Sequence, residues 1–147
     1  MKSVKRSSKN GKETGSDDFF SVIVFDLVGT KFAVDLDQVS EISEYHSPSD
    51  LLFPLIQLTE TVLFPGKDLE YKSPKLLKIK DENYYGVLID QPEGIIHLTI
   101  EKIMAFPKLL VKAMKSSPLW GAFMLKEEMV FLLDCYKLNI SQRTSDK

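Results

Sequence analysis

Carboxylates are frequent in the first half of the chain, and a pair of carboxylates can perform general acid and base catalysis. The acidic residues of this region include Asp26, Asp35, Asp37, Glu41 and Glu44. Asp35 and Asp37 would project to the same side of a strand if both residues were extended. We favour another interpretation, in which Asp37 caps a helical turn and the other acidic side chains lie on a solvated face. The spacing therefore does not support an acid/base pair, and we expect no catalytic residue.

Histidine and cysteine side chains, the usual ligands of zinc, do not form a metal-binding pattern. His46 and His97 are far apart in the sequence, and neither has a second ligand at a suitable spacing. His97, on a predicted strand, is expected to face solvent or to bond locally. Cys135 is the only cysteine and ends an apolar run, which predicts a buried, inert thiol. Phosphate-binding glycine loops and common hydrolase motifs are absent, so we expect no metal and no cofactor.

Composition argues against nucleic acid and against a membrane span. The formal charge of the 147 residues is −2, and the aromatic residues are not interleaved with Lys and Arg as stacking platforms require. No run approaches the roughly 18 to 20 apolar residues that cross a bilayer, and the N-terminus lacks the apolar core of a secretory signal. We therefore expect a cytoplasmic protein with no integral membrane segment.

The chain divides into one domain and two polar ends. Residues 1–18 are basic and almost without apolar side chains, which predicts a disordered arm. Its charge leaves open a contact with an anionic partner, although a solubilising role is the simpler interpretation. Residues 19–140 can bury their own core as a domain of ordinary size, and residues 141–147 form a second polar tail.

Alternating apolar and polar residues predict two β-hairpins. The first covers residues 21–36 and turns at Gly29, and the second covers residues 77–90 with a polar turn at residues 81–83. A strand at residues 93–98 is predicted to follow, and then a short turn with helical spacing that begins at Thr99. These repeats indicate two similar halves.

A helical turn is predicted directly after the first hairpin. Asp37 would accept backbone N–H bonds as its N-cap, and Val39 and Ile42, three residues apart, would share one helix face. A shared apolar face is more often core than contact surface. Glu41 would point away from that face.

The order of these segments resembles the CheW-like domain family. The first matching part is the hairpin VIVFDLVGTKFAVDL at residues 22–36, followed by V-x-E-I at residues 39–42. The later parts are GVLID at residues 86–90, EGII at 93–96 with a proline-ended turn at 106–107, and the closing segments WGA at 120–122 and FLLD at 131–134. Each motif alone is weakly specific. Together they resemble the family over roughly residues 19–140.

The resemblance implies an all-β fold with short helices, in which two small SH3-like β-barrel subdomains pack on a common hydrophobic core. Members of this family are not enzymes. They are adaptors that join a histidine kinase of the CheA type to the cytoplasmic tips of chemoreceptors. The chain would then be a protein interaction scaffold in chemotaxis-type, two-component signal transduction.

The sequence departs from the family pattern after the first helical turn. Family members continue with a strand, an N-L-R-G turn and a second strand, whereas residues 45–50 lead almost directly to residues 53–58, which resemble the second strand only. We therefore expect a divergent member whose first barrel is one strand short, with an open edge covered by a loop, a partner or a second copy. The absent turn belongs to the family's partner-contact surface. An assembly or sensor module that forms a homodimer and has lost receptor coupling is thus the alternative function.

The partner-binding residues implied by the resemblance are those of the V-x-E-I segment and the two that follow it. They are Val39, Glu41, Ile42, Glu44 and Tyr45. Glu41 is the preferred interface residue of this set, because it would point away from the apolar face.

Aromatic residues near the second and last hairpins are expected to divide between core and surface. Trp120 could close the second barrel or anchor a partner, and we favour the core role. Of Tyr84 and Tyr85, one is expected to pack inward and the other to cover the outer face.

Overall fold

The computed structural model describes residues 19–47, 49, 51–58, 70–107 and 117–138. The predicted basic arm and polar tail lie outside these residues. The described elements are β1 (Phe19–Leu27), β2 (Thr30–Asp35), a 3-10 helix (Leu36–Gln38), β3 (Val39–Glu44), β4 (Leu55–Gln57), β5 (Pro74–Ile79), β6 (Tyr85–Asp90), β7 (Pro92–Thr99), a second 3-10 helix (Ile100–Lys102), β8 (Leu119–Leu125) and β9 (Glu128–Leu133). Residues 135–138 form one helical turn. The predicted all-β fold with short helices is confirmed.

Two sheets hold these strands. The five-stranded sheet has the order β7-β1-β2-β9-β8, and the four-stranded sheet has the order β3-β5-β6-β4. Met104, which follows β7, bridges to Ala122 on β8 and fastens the two ends of the larger sheet to each other. The smaller sheet has one strand fewer among the described residues.

The sheets do not correspond to successive halves of the chain. The first hairpin, β1 with β2, belongs to the same sheet as the last hairpin, because β9 pairs parallel with β2. The second hairpin, β5 with β6, lies in the four-stranded sheet. Both predicted hairpins are confirmed, but the halves are interleaved.

Apolar side chains form a core between the two sheets and a second cluster on the other face of the larger sheet. In β1, Ile23 and Phe25 face the shared core, whereas Val22 and Val24 face the second cluster. The smaller sheet contributes its own alternate residues to the shared core: Leu77, Ile79, Tyr85, Val87 and Ile89. Burial on both faces explains why β1 is apolar at nearly every position.

Polar contacts join the sheets at the end of β9. The Tyr85 hydroxyl donates to the carbonyl of Cys135 at 2.8 Å. The Gln38 side chain donates to Asp134 Oδ1 at 2.9 Å and accepts from the backbone N–H of Cys135 at 3.0 Å. The Cys135 thiol is fully buried, as expected, and its burial raises its pKa. The 3-10 helix before β3 is thereby tied to the last strand.

The predicted helical turn carrying Val39 and Ile42 is wrong. Asp35, not Asp37, is the N-cap residue: its Oδ1 accepts the N–H of Asp37 at 2.9 Å, and the resulting 3-10 helix ends at Gln38. From Val39 onward the chain is extended, because it pairs antiparallel with β5.

The preferred core role of Trp120 is also wrong. A β-bulge at Leu132 and Leu133 leaves Trp120 without a partner in the ladder of β8 with β9. Trp120 is 40% exposed, and the centroid of its ring lies 6.3 Å from that of Phe20. The other aromatic expectation is confirmed, since Tyr85 is buried and Tyr84 is exposed.

Candidate functional site

The five residues carried over from the family pattern lie on, or directly after, the edge strand β3. Glu41 and Glu44 are exposed, Ile42 is 39% exposed, and Tyr45 is half-buried. Val39 packs against the shared core. The expected core position therefore holds for Val39 but not for Ile42, and the expected exposure of Glu41 is confirmed on a strand instead of a helix.

Cross-strand pairs place the two glutamates of β3 opposite lysines. Glu41 faces Lys78 and Glu44 faces Lys75 in the ladder with β5. Glu44 forms an ion pair with Lys75, which holds the pKa of the Glu44 carboxyl below its usual range. In the part of the chain that the structure describes, no ion pair reaches Glu41.

Lys78 is directed toward aromatic rings instead of toward Glu41. Its Nζ lies 4.3 Å from the centroid of the Tyr84 ring and 5.6 Å from that of Phe53. Cation–π contacts of this kind are worth about 0.5–1 kcal/mol at exposed sites. Lys78 therefore does not form an ion pair with the exposed Glu41 carboxylate.

A groove runs beside β3 over one face of the smaller sheet. Its volume is about 260 Å³, and its lining combines β3 side chains with Leu51, Phe53, Leu76 and Lys78. An adjoining hollow of about 550 Å³ shares Leu51, Phe53 and Lys78 with it. A groove of this mixed polar and apolar character suits a protein segment better than a small apolar ligand.

Gly86 allows the groove to form. A Cβ at this position would lie 2.8 Å from Leu76 Cδ1 and 3.0 Å from Phe53 Cε1. The absence of a side chain therefore lets the Phe53 ring lie directly on the sheet. Phe53, Lys78 and Tyr84 were not predicted as residues of the candidate site. The available signal in the sequence was the pair of aromatic residues beside lysine-bearing strands.

Three carboxylates of the first half make structural contacts. Asp26 accepts the N–H of Gly29 at 3.0 Å and lies 3.6 Å from Lys31 Nζ. Asp35 caps the 3-10 helix, and Glu44 is paired with Lys75. Across the described ranges, no group of three or more His, Cys, Asp or Glu could hold a metal ion. None of the described helices is long and apolar enough to cross a membrane.

Comparison with known proteins gives a structural match without a sequence match. No family model and no curated protein matches the sequence. The fold is similar to the crystal structure of the scaffolding protein TtCheW from Thermoanaerobacter tengcongensis, with a TM-score of 0.61 and 17% sequence identity. The match covers 78% of this chain and 88% of that one. The chain therefore has a CheW-like fold with two subdomains, as its motif order predicted.

Proposed function

We propose that this protein is a non-enzymatic scaffold of the CheW type, which joins a histidine kinase of the CheA type to chemoreceptors or to a related signalling partner. The observation that carries the proposal is the structural match to TtCheW over most of both chains. Both partners present cytoplasmic surfaces, so the proposed compartment is the cytoplasm.

The kinase is the primary partner in this proposal. β3 offers an edge with the exposed side chain of Ile42 and with the Glu41 carboxylate, which has no ion-pair partner among the described residues. An exposed edge can accept a strand of a second β domain, and the carboxylate beside it favours a partner with a basic side chain there. The turn that the family uses for partner contact has no counterpart here, so we propose that receptor coupling is the weaker of the two activities.

Isothermal titration calorimetry with the barrel-type regulatory domain of the cognate kinase tests this proposal. We expect a dissociation constant in the micromolar range or lower for the unmodified protein. Glu41→Lys should raise that constant at least about tenfold, equivalent to about 1.4 kcal/mol. Its melting temperature should stay within a few degrees, since exposed substitutions usually cost less than about 0.5 kcal/mol.

Glu101→Lys is the matched control. Glu101 is an exposed acidic residue in the 3-10 helix that follows β7, outside β3 and its groove. Both variants change the net charge equally, so long-range electrostatics cannot explain a difference between them. Equal loss of affinity in the two variants would contradict a contact at β3, and no binding by the unmodified protein would contradict the kinase as partner.

A further inference from the structure

We propose that β3 is also a self-association surface, through which two copies of this chain pair antiparallel across a two-fold axis at Ile42. The pairing would join two four-stranded sheets into one continuous sheet of eight strands. It does not depend on the proposed kinase contact.

β3 is the edge best suited to such pairing among the described strands. It lies at the end of the order β3-β5-β6-β4, contains neither lysine nor proline, and leaves Ile42 exposed. Charged side chains, lysine above all, and proline keep edges from pairing. The charged residues of β3 are Glu41 and Glu44, so pairing requires a register in which they do not face each other. The register shift between Val39 and Glu41 affects only the start of the strand, and residues 41–44 continue in regular register with β5.

The other edges are less suited. β7 begins with Pro92, contains Gly94 at a φ of 138° and has an irregular register with β1. β8 is partly occupied by the bridge from Met104 to Ala122. β4 has only three residues, too few for a stable new ladder.

The sequence of β3 is complementary to itself in one register. Within the regular part of the strand, a two-fold axis at Ile42 gives the pairs Ile42 with Ile42 and Glu41 with Ser43. The exposed isoleucines then face each other, and each Glu41 faces a serine. Opposed apolar pairs stabilise a sheet by roughly 0.2–1 kcal/mol each, and opposed like charges destabilise it.

Other two-fold registers are worse. The backbone N–H and C=O groups of every second residue point outward from the edge, so the axis of an antiparallel pair of identical strands always passes through one residue paired with itself. An axis at Glu41 places Glu41 opposite Glu41 of the other copy. An axis at Ser43 places Ile42 opposite Glu44, so the apolar contact is lost. The apolar pair at Ile42 and the absence of opposed glutamates therefore favour a second copy of this chain in the Ile42-centred register.

Sedimentation velocity of the full chain over a concentration series tests this pairing. The test uses two variants that carry opposite charges at position 42. The unmodified protein should form a dimer. Ile42→Lys and Ile42→Glu should each weaken the dimer at least about tenfold, because like charges would meet at the axis. An equimolar mixture of the two variants should restore association, since lysine then faces glutamate.

Ile95→Lys and Ile95→Glu form the matched control pair. Ile95 lies on β7, the edge of the other sheet, and is 52% exposed. Neither control should change the dimer, and circular dichroism should show all four variants folded. A monomeric unmodified protein, a dimer that tolerates both Ile42 variants, or a mixture that stays monomeric would each overturn the proposal. The assay contains no kinase, so its result is independent of the proposed adaptor function.

Discussion

Replacing Asp90 by alanine is expected to destabilise the smaller sheet, because this carboxylate organises the chain that enters β5. Asp90 ends β6 and is only 3% exposed. Its two oxygens accept the backbone N–H of Lys72 at 3.0 and 3.1 Å, and Oδ1 also accepts that of Ser73 at 2.6 Å. One side chain thus fixes two consecutive peptide groups.

The expected loss follows from these two donors. A hydrogen bond to a charged group contributes about 1.5–3 kcal/mol net, so two such donors give an upper limit of about 3–6 kcal/mol. Lys72 and Ser73 are exposed, which lets water replace part of the loss. We therefore expect Asp90→Ala to lower the free energy of unfolding by about 2–4 kcal/mol, a large share of the roughly 5–15 kcal/mol of an ordinary domain.

Urea unfolding followed by far-UV circular dichroism measures this loss. Asp90→Asn retains one acceptor oxygen and should lose about half as much. Asp81→Ala is the control, because the exposed Asp81 carboxylate accepts one hydrogen bond among the described residues, from the N–H of Glu82 at 2.8 Å. This change should cost less than about 1 kcal/mol. If the free energy of unfolding of Asp90→Ala lies within about 1 kcal/mol of that of the unmodified protein, Asp90 does not stabilise the entry to β5. Equal losses in Asp90→Ala and Asp90→Asn would contradict the role of its two acceptor oxygens.

Three further outcomes follow from other parts of the structure. Phe25 is fully buried in the shared core, so Phe25→Ala should lower the free energy of unfolding, measured with urea, by about 3–5 kcal/mol. Phe19→Ala, on the same strand but 58% exposed, should cost less than about 1 kcal/mol. Lys75→Ala should raise the pKa of Glu44 toward its usual range in an NMR titration. Because the ion pair lowers that pKa, it stabilises the fold at pH values above the usual pKa range of a carboxyl group. This contribution is lost as the pH falls through the lowered pKa. Val28 is exposed and has a φ of 56°, which valine tolerates poorly and asparagine accepts. Val28→Asn should therefore stabilise the first hairpin by about 0.5–1 kcal/mol, measured by thermal unfolding.

For each of these three predictions, one result would contradict the structure. Equal stability of the Phe25 and Phe19 variants would mean that β1 turns its other face to the shared core. If the pKa of Glu44 is the same with and without the Lys75 side chain, the ion pair does not persist in solution. A destabilised Val28 variant would contradict the left-handed geometry of the first turn.

Local patterns were sufficient to predict the two hairpins. In β5, Leu77 and Ile79 are buried, whereas Lys78 between them is half-buried and directed toward aromatic rings. The period of two depends only on which face of a strand meets the core, so it is visible in the sequence. The order of the motifs also predicted the CheW-like fold, which the structural match confirms.

β3 could not be predicted by the same means. Its sequence VSEISE has no period of two, and the spacing of Val39 and Ile42 is typical of a helix. The extended conformation results from pairing with β5, more than thirty residues later in the chain. Tertiary pairing of this kind overrides local propensity and leaves no local signal.

Of the candidate site, the sequence predicted the exposure of one residue. Glu41 is exposed as expected, but the reasoning placed it on the wrong element. The lysine and the two aromatic residues beside the groove meet only because the β5–β6 hairpin lies against residues 51–54. Such a combination depends on three separate segments, and no single stretch of sequence contains it.

The parallel pairing of β2 with β9 has a consequence for how the protein is made. These strands are about a hundred residues apart, and β9 lies between β2 and β8 in its sheet. During synthesis, the hairpin of β1 and β2 leaves the ribosome with one side of β2 open, and that side is closed only after the last hairpin has been translated. Contacts so distant in sequence slow folding and prolong the exposure of apolar strands. The nascent chain is therefore most vulnerable to aggregation just before its last strand is complete.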